Sequence, residues 1–379
     1  MIFFVALGWL LTALALAGVV YTLMAAVFVG RFAPRREPAA SPPPPVTVLK
    51  PLHGAEPHLE DNLATFFNQD YAAPFQLVFG IQDANDPAIE IVERLRARHP
   101  AVDAALVIDG RRHGSNAKVS NLINMESAAR HDVLILSDSD IAVPSDYLGR
   151  MAAALQPNEV GAVTCLYTGW VGAGFGSRLC AMGIDYQFLP NAVTGIALGL
   201  AEPCFGSTIG LKRKVLDEIG GLAAFADFLA DDYEIGRAVR AKGYHIAIPH
   251  LVVRHACNEK NIGEWLAHEL RWARTIRVVA LAGHAGSIVT NAIPLALLGT
   301  ILSDFTLFAI ASLVTSLTAR AVLKWRIDVC FGCNGGPLWL LPVRDVLSFG
   351  VFLASLFGGS VEWQGSRLHV ERDGVMSKW

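Results

Sequence analysis

Hydrophobic positions in this chain follow two regimes, unbroken apolar runs at both ends and short alternating runs between them. No charged residue occurs from Ile2 to Val29, a stretch longer than the roughly 20 residues that carry a helix across a bilayer. It lacks a basic leader and ends at Arg31, Arg35 and Arg36. It therefore reads as a retained transmembrane helix over 1–30, and the arginines place the chain beyond it on the cytoplasmic side. Residues 31–45, dense in proline from Pro38 to Pro45, form a stiff extended linker that cannot be helix.

From Val46 the pattern becomes strand, helix, strand. Val46 to Leu49, Phe75 to Ile81, Ala104 to Ile108 and Val133 to Leu136 are apolar runs of strand length. Helical periodicity marks Glu56 to Phe67, Pro87 to Arg98 and Lys118 to Ala129. Such alternation predicts an α/β fold with a mostly parallel sheet covered on both faces. Ile262 to Val279 is amphipathic and predicts an interfacial helix over 261–285. Ile288 to Leu317 carries one charge, Asp304; it is long for one span, and a hairpin over 286–322 turning near Ser303 and Asp304 returns Arg320, Lys324 and Arg326 to the cytoplasm. A third apolar segment, 336–358, is interrupted by Pro342, Arg344 and Asp345. It spans with those residues facing protein, re-enters, or pairs Arg344 with Asp345 at the interface. A polar tail, 359–379, closes the chain.

Composition agrees with this division: of 379 residues, 53% are hydrophobic and only 17% charged, too apolar for a soluble protein of this size. A net charge of −3 speaks against a nucleic-acid partner. The six cysteines have no disulfide-framework spacing, in keeping with a reducing compartment. Cys330-x-x-Cys333 has no second pair to complete a zinc ligand set.

Polar residues gather where the predicted strands end. Gln82, Asp83 and Asp86 follow the second; Asp109, Arg111, Arg112, Asn116 and Lys118 follow the third; Asp138 and Asp140 follow the fourth. In an open α/β sheet the crevice beyond the carboxyl ends of the strands receives ligands, and an Asp-x-Asp there offers hard oxygen donors to a divalent ion gripping a diphosphate. An acidic solvated turn gives the same pattern. Asp231 and Asp232 precede a helical stretch, where carboxylates also serve as ordinary N-terminal caps. Arg271 and Trp272 fit a membrane interface as readily as a site.

Taken in order, Lys50-Pro51-Leu52-x-Gly54, Gln82-Asp83-x-x-Asp86-Pro87-Ala88, Asn116-x-Lys118-Val119-x-Asn121-Leu122, Asp138-Ser139-Asp140, Asp231-Asp232-Tyr233 and Arg271-Trp272 resemble a GT-A glycosyltransferase of the ceramide glucosyltransferase type, including its bacterial relatives associated with hopanoid lipids. The resemblance covers about residues 46 to 280. It implies a nucleotide-sugar-binding GT-A catalytic domain over 46–260, flanked by transmembrane helices. Asp83, with Asp86 beside it, falls where the family contacts the nucleobase of a UDP-sugar, and Lys118 stands among the donor-binding residues. Asp138 and Asp140 fall at the metal and diphosphate position, for Mg²⁺ or Mn²⁺, and Asp232 at the general base. Arg271 and Trp272 fall on the closing Q/R-x-x-R-W motif, in which His268 stands where Gln or Arg is usual.

The glycine-rich stretch Asn191 to Gly221 falls on the acceptor side. The reaction implied is inverting transfer of glucose or N-acetylglucosamine from its UDP form to the hydroxyl of a ceramide-like or hopanoid lipid. The setting implied is a bacterial inner membrane with the catalytic domain cytoplasmic. The alternatives are a processive polysaccharide synthase, which needs more membrane helices for a channel, and a non-catalytic membrane scaffold.

Overall fold

The computed structural model describes residues 2–35 and 42–357, and the backbone of strands at Ser360–Trp363, Ser366–Val370 and Met376–Lys378. Residues 36–41 of the predicted linker lie outside the described residues. Within the tail, the strands Ser366–Val370 and Met376–Lys378 pair antiparallel, a regularity that its polar sequence does not announce. The chain divides into two compact units: a sheet unit of Pro34–Gly172, Glu202–Asn258 and Glu362–Trp379, and a helical unit of Met1–Ala33, Ala173–Ala201 and Glu259–Val361. The expected single stretch 46–260 is thus interrupted, and the glycine-rich segment is shared between the units at Ala201.

Ten strands build the main body of the sheet unit: β1 (Val46–Pro51), β2 (Phe75–Ile81), β3 (Asp103–Ile108), β4 (Val133–Ser137), β5 (Ile141–Ala142), β6 (Val160–Thr164), β7 (Leu166–Val171), β8 (Thr208–Lys212), β9 (His245–Ala247) and β10 (Val252–Cys257). Seven form one sheet in the order β3-β2-β1-β4-β8-β6-β9, and β5-β10-β7 form a second. β3, β2, β1 and β4 run parallel, and β8 pairs antiparallel with both β4 and β6. Every residue of β1 and β4 is buried, which is why Val133 to Leu136 of β4 reads as a continuous rather than an alternating apolar run. Chain order runs outward from β1 to β3 and then returns to β4 on the other side of β1. The topological switch point, and the crevice that accompanies it, therefore lies beyond the carboxyl ends of β1 and β4.

Two asparagines of the Asn116-to-Leu122 stretch hold the helix Ala117–Glu126 against this edge. Asn116 caps it by accepting from the Val119 N–H (3.1 Å), and Asn121 donates to the Gly80 carbonyl at 2.8 Å. Glycine is required at position 80, since a Cβ there would lie 2.0 Å from Met125 Sδ.

In the helical unit, Ile2–Arg31 and Leu307–Phe331 are long and apolar enough to cross a membrane, and the pair Leu281–Thr290 and Ala292–Leu302, bent by 63°, supplies a third candidate. Gly8, Thr12, Ala15, Gly18, Thr22 and Ala25 form the buried stripe of the first helix, the small-residue face that lets membrane helices approach closely. A Cβ on Gly18 would meet the Val289 carbonyl oxygen at 2.3 Å. The turn expected near Ser303 and Asp304 falls there, with Asp304 and Phe305 at positive φ. The following helix runs on to Phe331, past the expected end of the hairpin at 322, so Arg320 and Lys324 lie within it.

Their charges are paired inside the unit. Arg320 forks onto Asp345 with two bonds of 2.7 Å and reaches the Tyr186 carbonyl at 2.8 Å. Lys324 meets Asp328 at 2.5 Å. Arg344 bonds Gln187 and Glu269, so of the three readings of this segment the one that pairs Arg344 with Asp345 gives way to two separate pairings. Adjacent residues on the helix Leu340–Ser355 point to different neighbours, and both are buried.

Candidate functional site

Beyond β4 the chain turns through Asp138, Ser139 and Asp140, and helices and strands from elsewhere in the sheet unit bring partners to them. The Lys118 ammonium, from the first turn of its helix, lies 2.7 Å from Asp138 Oδ1 and 3.5 Å from Asp231 Oδ2. Asp231 also accepts from the Asn116 side chain at 3.2 Å, so the cap residue of one helix ties down the start of another far along the chain, Asp231–Ala241.

Asp232 is not an ordinary cap. Its Oδ2 accepts the Gly206 N–H and its Oδ1 its neighbour Tyr233's N–H, each at 2.8 Å. The first donor comes from the loop before β8, remote in sequence. Burial and then the Asp231 carboxylate push Asp232 up to about 6, against the opposing pull of Lys118 and the two N–H donors.

Three further groups at this edge have no role assigned to them by the sequence. Lys50, fully buried at the end of β1, donates to the Asp138 carbonyl, lies 3.4 Å from Ser137 Oγ, and sits over the Phe66 ring at 4.1 Å. Burial pulls its ammonium down to about 7 despite Asp140 and Asp138. His255 on β10 reaches Asp140 Oδ2 with Nε2 at 3.2 Å while its ring packs on Tyr167. Glu56 accepts from Ser139 Oγ at 3.3 Å. The only hint of Lys50 is its place in the Lys-Pro-Leu stretch. For His255 the hint is a histidine inside an apolar strand run, which a core position explains equally well.

Asp140 is driven in opposite directions: burial would raise it, but His255 and the lysines prevail and hold it down at about 2. Asp138 is raised by burial, with Lys118 opposing. A divalent ion fits this pair. Both residues offer hard oxygen donors, and Asp140 Oδ1 is buried with no hydrogen-bond partner among the described residues.

Asp83 and Asp86 lie in the turn after β2. Asp86 is buried and holds that turn together, accepting from the Gly54 and Ala88 N–H groups at 2.8 Å each. Asp83 is exposed and accepts locally from the Asn85 N–H at 2.9 Å, which leaves its carboxylate open to solvent. The two differ in kind: Asp86 shapes the turn, and Asp83 stands on its exposed side.

His268, Arg271 and Trp272 belong to the helical unit, on the helix Ile262–Val279, whose start is capped by Asn261 accepting from the Glu264 N–H at 3.1 Å. His268 contacts the Glu259 carboxylate, lies 3.9 Å from Cys180 Sγ, and meets the Trp272 ring edge-on at 4.5 Å between centroids. Burial would lower the imidazole, but Cys180 and Glu259 outweigh it and raise it to about 9. The structure thus gathers Lys118, Asp138, Asp140 and Asp232 into one cluster of the sheet unit, puts Asp83 and Asp86 in a neighbouring turn, and groups His268 and Trp272 within the helical unit.

A mostly parallel sheet, with a carboxylate pair beyond its fourth strand and an aspartate brought in by a later helix, is the GT-A class of glycosyltransferase fold. Mannosyltransferase PcManGT from Pyrobaculum calidifontis, solved in complex with GDP-Man and Mn2+, shares that fold with a TM-score of 0.51 at 20% identity, over 92% of this chain and 99% of that one. The profile of glycosyl transferase family 21 matches residues 10–376, and the chain belongs to that family. Ceramide glucosyltransferase 1 of Caenorhabditis elegans is 31% identical over 206 residues, 54% of this chain and 44% of its own. Ceramide glucosyltransferase 3 of the same organism is 28% identical over 249 residues, 63% of this chain and 51% of its own. The chain spans about half the length of these curated relatives.

Proposed function

We propose that this protein is a membrane-bound inverting glycosyltransferase that moves a hexose or N-acetylhexosamine from a UDP-sugar to the hydroxyl of a lipid, a ceramide-like molecule or a hopanoid polyol. It works at the cytoplasmic face of a bacterial inner membrane. The observation that carries this reading is Asp232, a carboxylate raised to about 6 and aimed by two backbone N–H groups, beside a second acidic pair suited to a diphosphate-bound cation.

Asp232 takes the proton of the acceptor hydroxyl as its oxygen attacks the anomeric carbon, and a base with this pKa is largely ionised at neutral pH without being too weak to accept. Attack on the face opposite the leaving UDP inverts the anomeric centre. Asp138 and Asp140 would hold Mg²⁺ or Mn²⁺, which when bound would supply charge neutralisation for the leaving diphosphate. Lys118 fixes the Asp138 carboxylate in place for that task, and Asp83 meets the nucleobase. Membrane helices in the same chain suit an acceptor whose apolar tail stays in the bilayer, since extracting it costs about 0.8 kcal/mol per CH₂.

The test is product formation by the detergent-solubilised protein, offered UDP-glucose or UDP-N-acetylglucosamine with ceramide, diacylglycerol or a bacteriohopane polyol, with and without EDTA. A β-linked glycolipid that disappears with EDTA is the expected result. An α-linked product would refute inversion, and failure to bind any UDP-sugar would refute the reading as a whole.

A further inference from the structure

Within the helical unit, three residues of different chemistry converge on one point. Cys180 is 2% exposed on the helix Phe175–Gly183, Glu259 lies just ahead of the Asn261 cap, and His268 follows on the helix Ile262–Val279. The thiol sulfur, a carboxylate oxygen and an imidazole nitrogen all lie within 4.8 Å of one another. The side chains of Glu259 and His268 are only 12% and 15% exposed. Glu259 Oε2 is buried and has no hydrogen-bond partner among the described residues, so the group has an unused donor atom facing the protein interior.

The convergence is built into the backbone. Gly174 adopts a φ of +105°, and a Cβ there would lie 2.4 Å from the Lys260 carbonyl oxygen; a Cβ on Gly176 would lie 2.3 Å from that of Asn261. Two glycines therefore let the start of the Cys180 helix press against the segment carrying Glu259, an approach closed to any larger residue.

We propose that Cys180, Glu259 and His268 form a transition-metal site, with three protein ligands and an open fourth position. Thiolate, imidazole and carboxylate together are the donor set of Zn²⁺ and its neighbours, whereas Mg²⁺ and Ca²⁺ take oxygen donors almost alone. The site shares no residue with the Asp138 and Asp140 pair, and it stands independently of the reaction proposed above. By ligating His268 it would fix the imidazole against which Trp272 packs, and so stiffen the turn of helix that bears Arg271.

The test uses the full chain purified in detergent under reducing conditions, stripped with EDTA and titrated with Co²⁺, alongside zinc analysis of the untreated protein. The expected result is about one zinc per chain and, on cobalt addition, a thiolate-to-metal charge-transfer band. That band is lost in Cys180→Ser and retained in Asp138→Asn/Asp140→Asn. Glu259→Gln, which keeps the side-chain shape, is expected to weaken cobalt binding by at least about tenfold through loss of one anionic ligand; it carries the test alone if Cys180→Ser does not fold. Absence of a Cys180-dependent band, or Glu259→Gln binding cobalt as tightly as the wild type, would overturn the proposal and leave an ion pair of His268 and Glu259 with a neighbouring thiol.

Discussion

Replacing Asp232 by asparagine tests the proposed general base. The carboxylate accepts two N–H groups at 2.8 Å, from Gly206 to one oxygen and from Tyr233 to the other. An asparagine oxygen can satisfy only one of them, and its NH₂ then faces a donor. The substitution therefore removes the proton acceptor and leaves a backbone N–H poorly paired, a cost of about 1–3 kcal/mol to stability. Loss of general base catalysis lowers kcat by roughly 10²–10⁴, equivalent to about 2.7–5.4 kcal/mol in the barrier. The donor KM should hold, because the diphosphate is assigned to Asp138, Asp140 and their cation.

The pH profile separates this from a folding defect. With the Asp232 pKa near 6, wild-type turnover rises through that pH to a plateau as the carboxylate ionises, and the variant lacks that limb. Linkage runs the opposite way to turnover. A raised carboxylate pKa favours the fold while it is protonated, so this contribution is present below the ordinary aspartate pKa and lost as pH rises through 6. Initial rates from pH 5 to 8, with melting curves at each pH, measure both. A folded Asp232→Asn that keeps more than about a tenth of wild-type kcat, or that keeps the acid limb, would refute the role of Asp232 as base.

Gly206→Ala would put a Cβ 2.9 Å from Asp232 Oδ2 and push the base out of line; turnover should fall on the order of tenfold to a hundredfold with donor binding retained, read from steady-state kinetics beside donor titration. In the helical unit, Arg320→Met strands the buried Asp345 carboxylate, a loss of about 3–5 kcal/mol seen as a lowered Tm in detergent. Adding Asp345→Leu should recover most of that loss, and two independent, additive effects would contradict a direct pair.

How far each feature can be read from the sequence depends on the range of the signal behind it. Val133 to Leu136 running into Asp138 is a local pattern, because a strand buried on both faces must be apolar throughout and a charge can come only where the strand leaves the core. The break at Ser303 and Asp304 is local too, since a charge ends an apolar helix at the interface. Partnership is not local. Nothing around Arg344 and Asp345 says that each answers to a different element, and nothing around His255 says that β10 lies beside β5 and so brings an imidazole to Asp140. Lys50 is concealed for the opposite reason: a lysine is expected outside, and the carbonyl of Asp138, the Ser137 hydroxyl, the face of Phe66 and the nearby carboxylates make its burial tolerable. Asp232 resembles a cap because its location at a helix start is real; its second donor, Gly206, comes from another part of the chain.

These hidden partners bear on why a cation belongs at the site. Asp138, Asp140, Asp231 and Asp232 crowd one edge of the sheet, and a nucleoside diphosphate would bring further negative charge to it. Lys118 is already shared between Asp138 and Asp231. Lys50 is turned toward a backbone carbonyl, and burial brings its pKa to about 7, so near neutrality about half its charge is absent. His255 reaches Asp140 Oδ2, and Asp140 Oδ1 is buried with no hydrogen-bond partner among the described residues. Lys118 and Lys50 are thus turned toward the protein's own groups at this edge. A divalent ion held by Asp138 and Asp140, as proposed, would change the sign of the field for a diphosphate bound there. For that reason metal removal should weaken donor binding itself, whereas loss of Asp232 should spare binding and stop the chemistry.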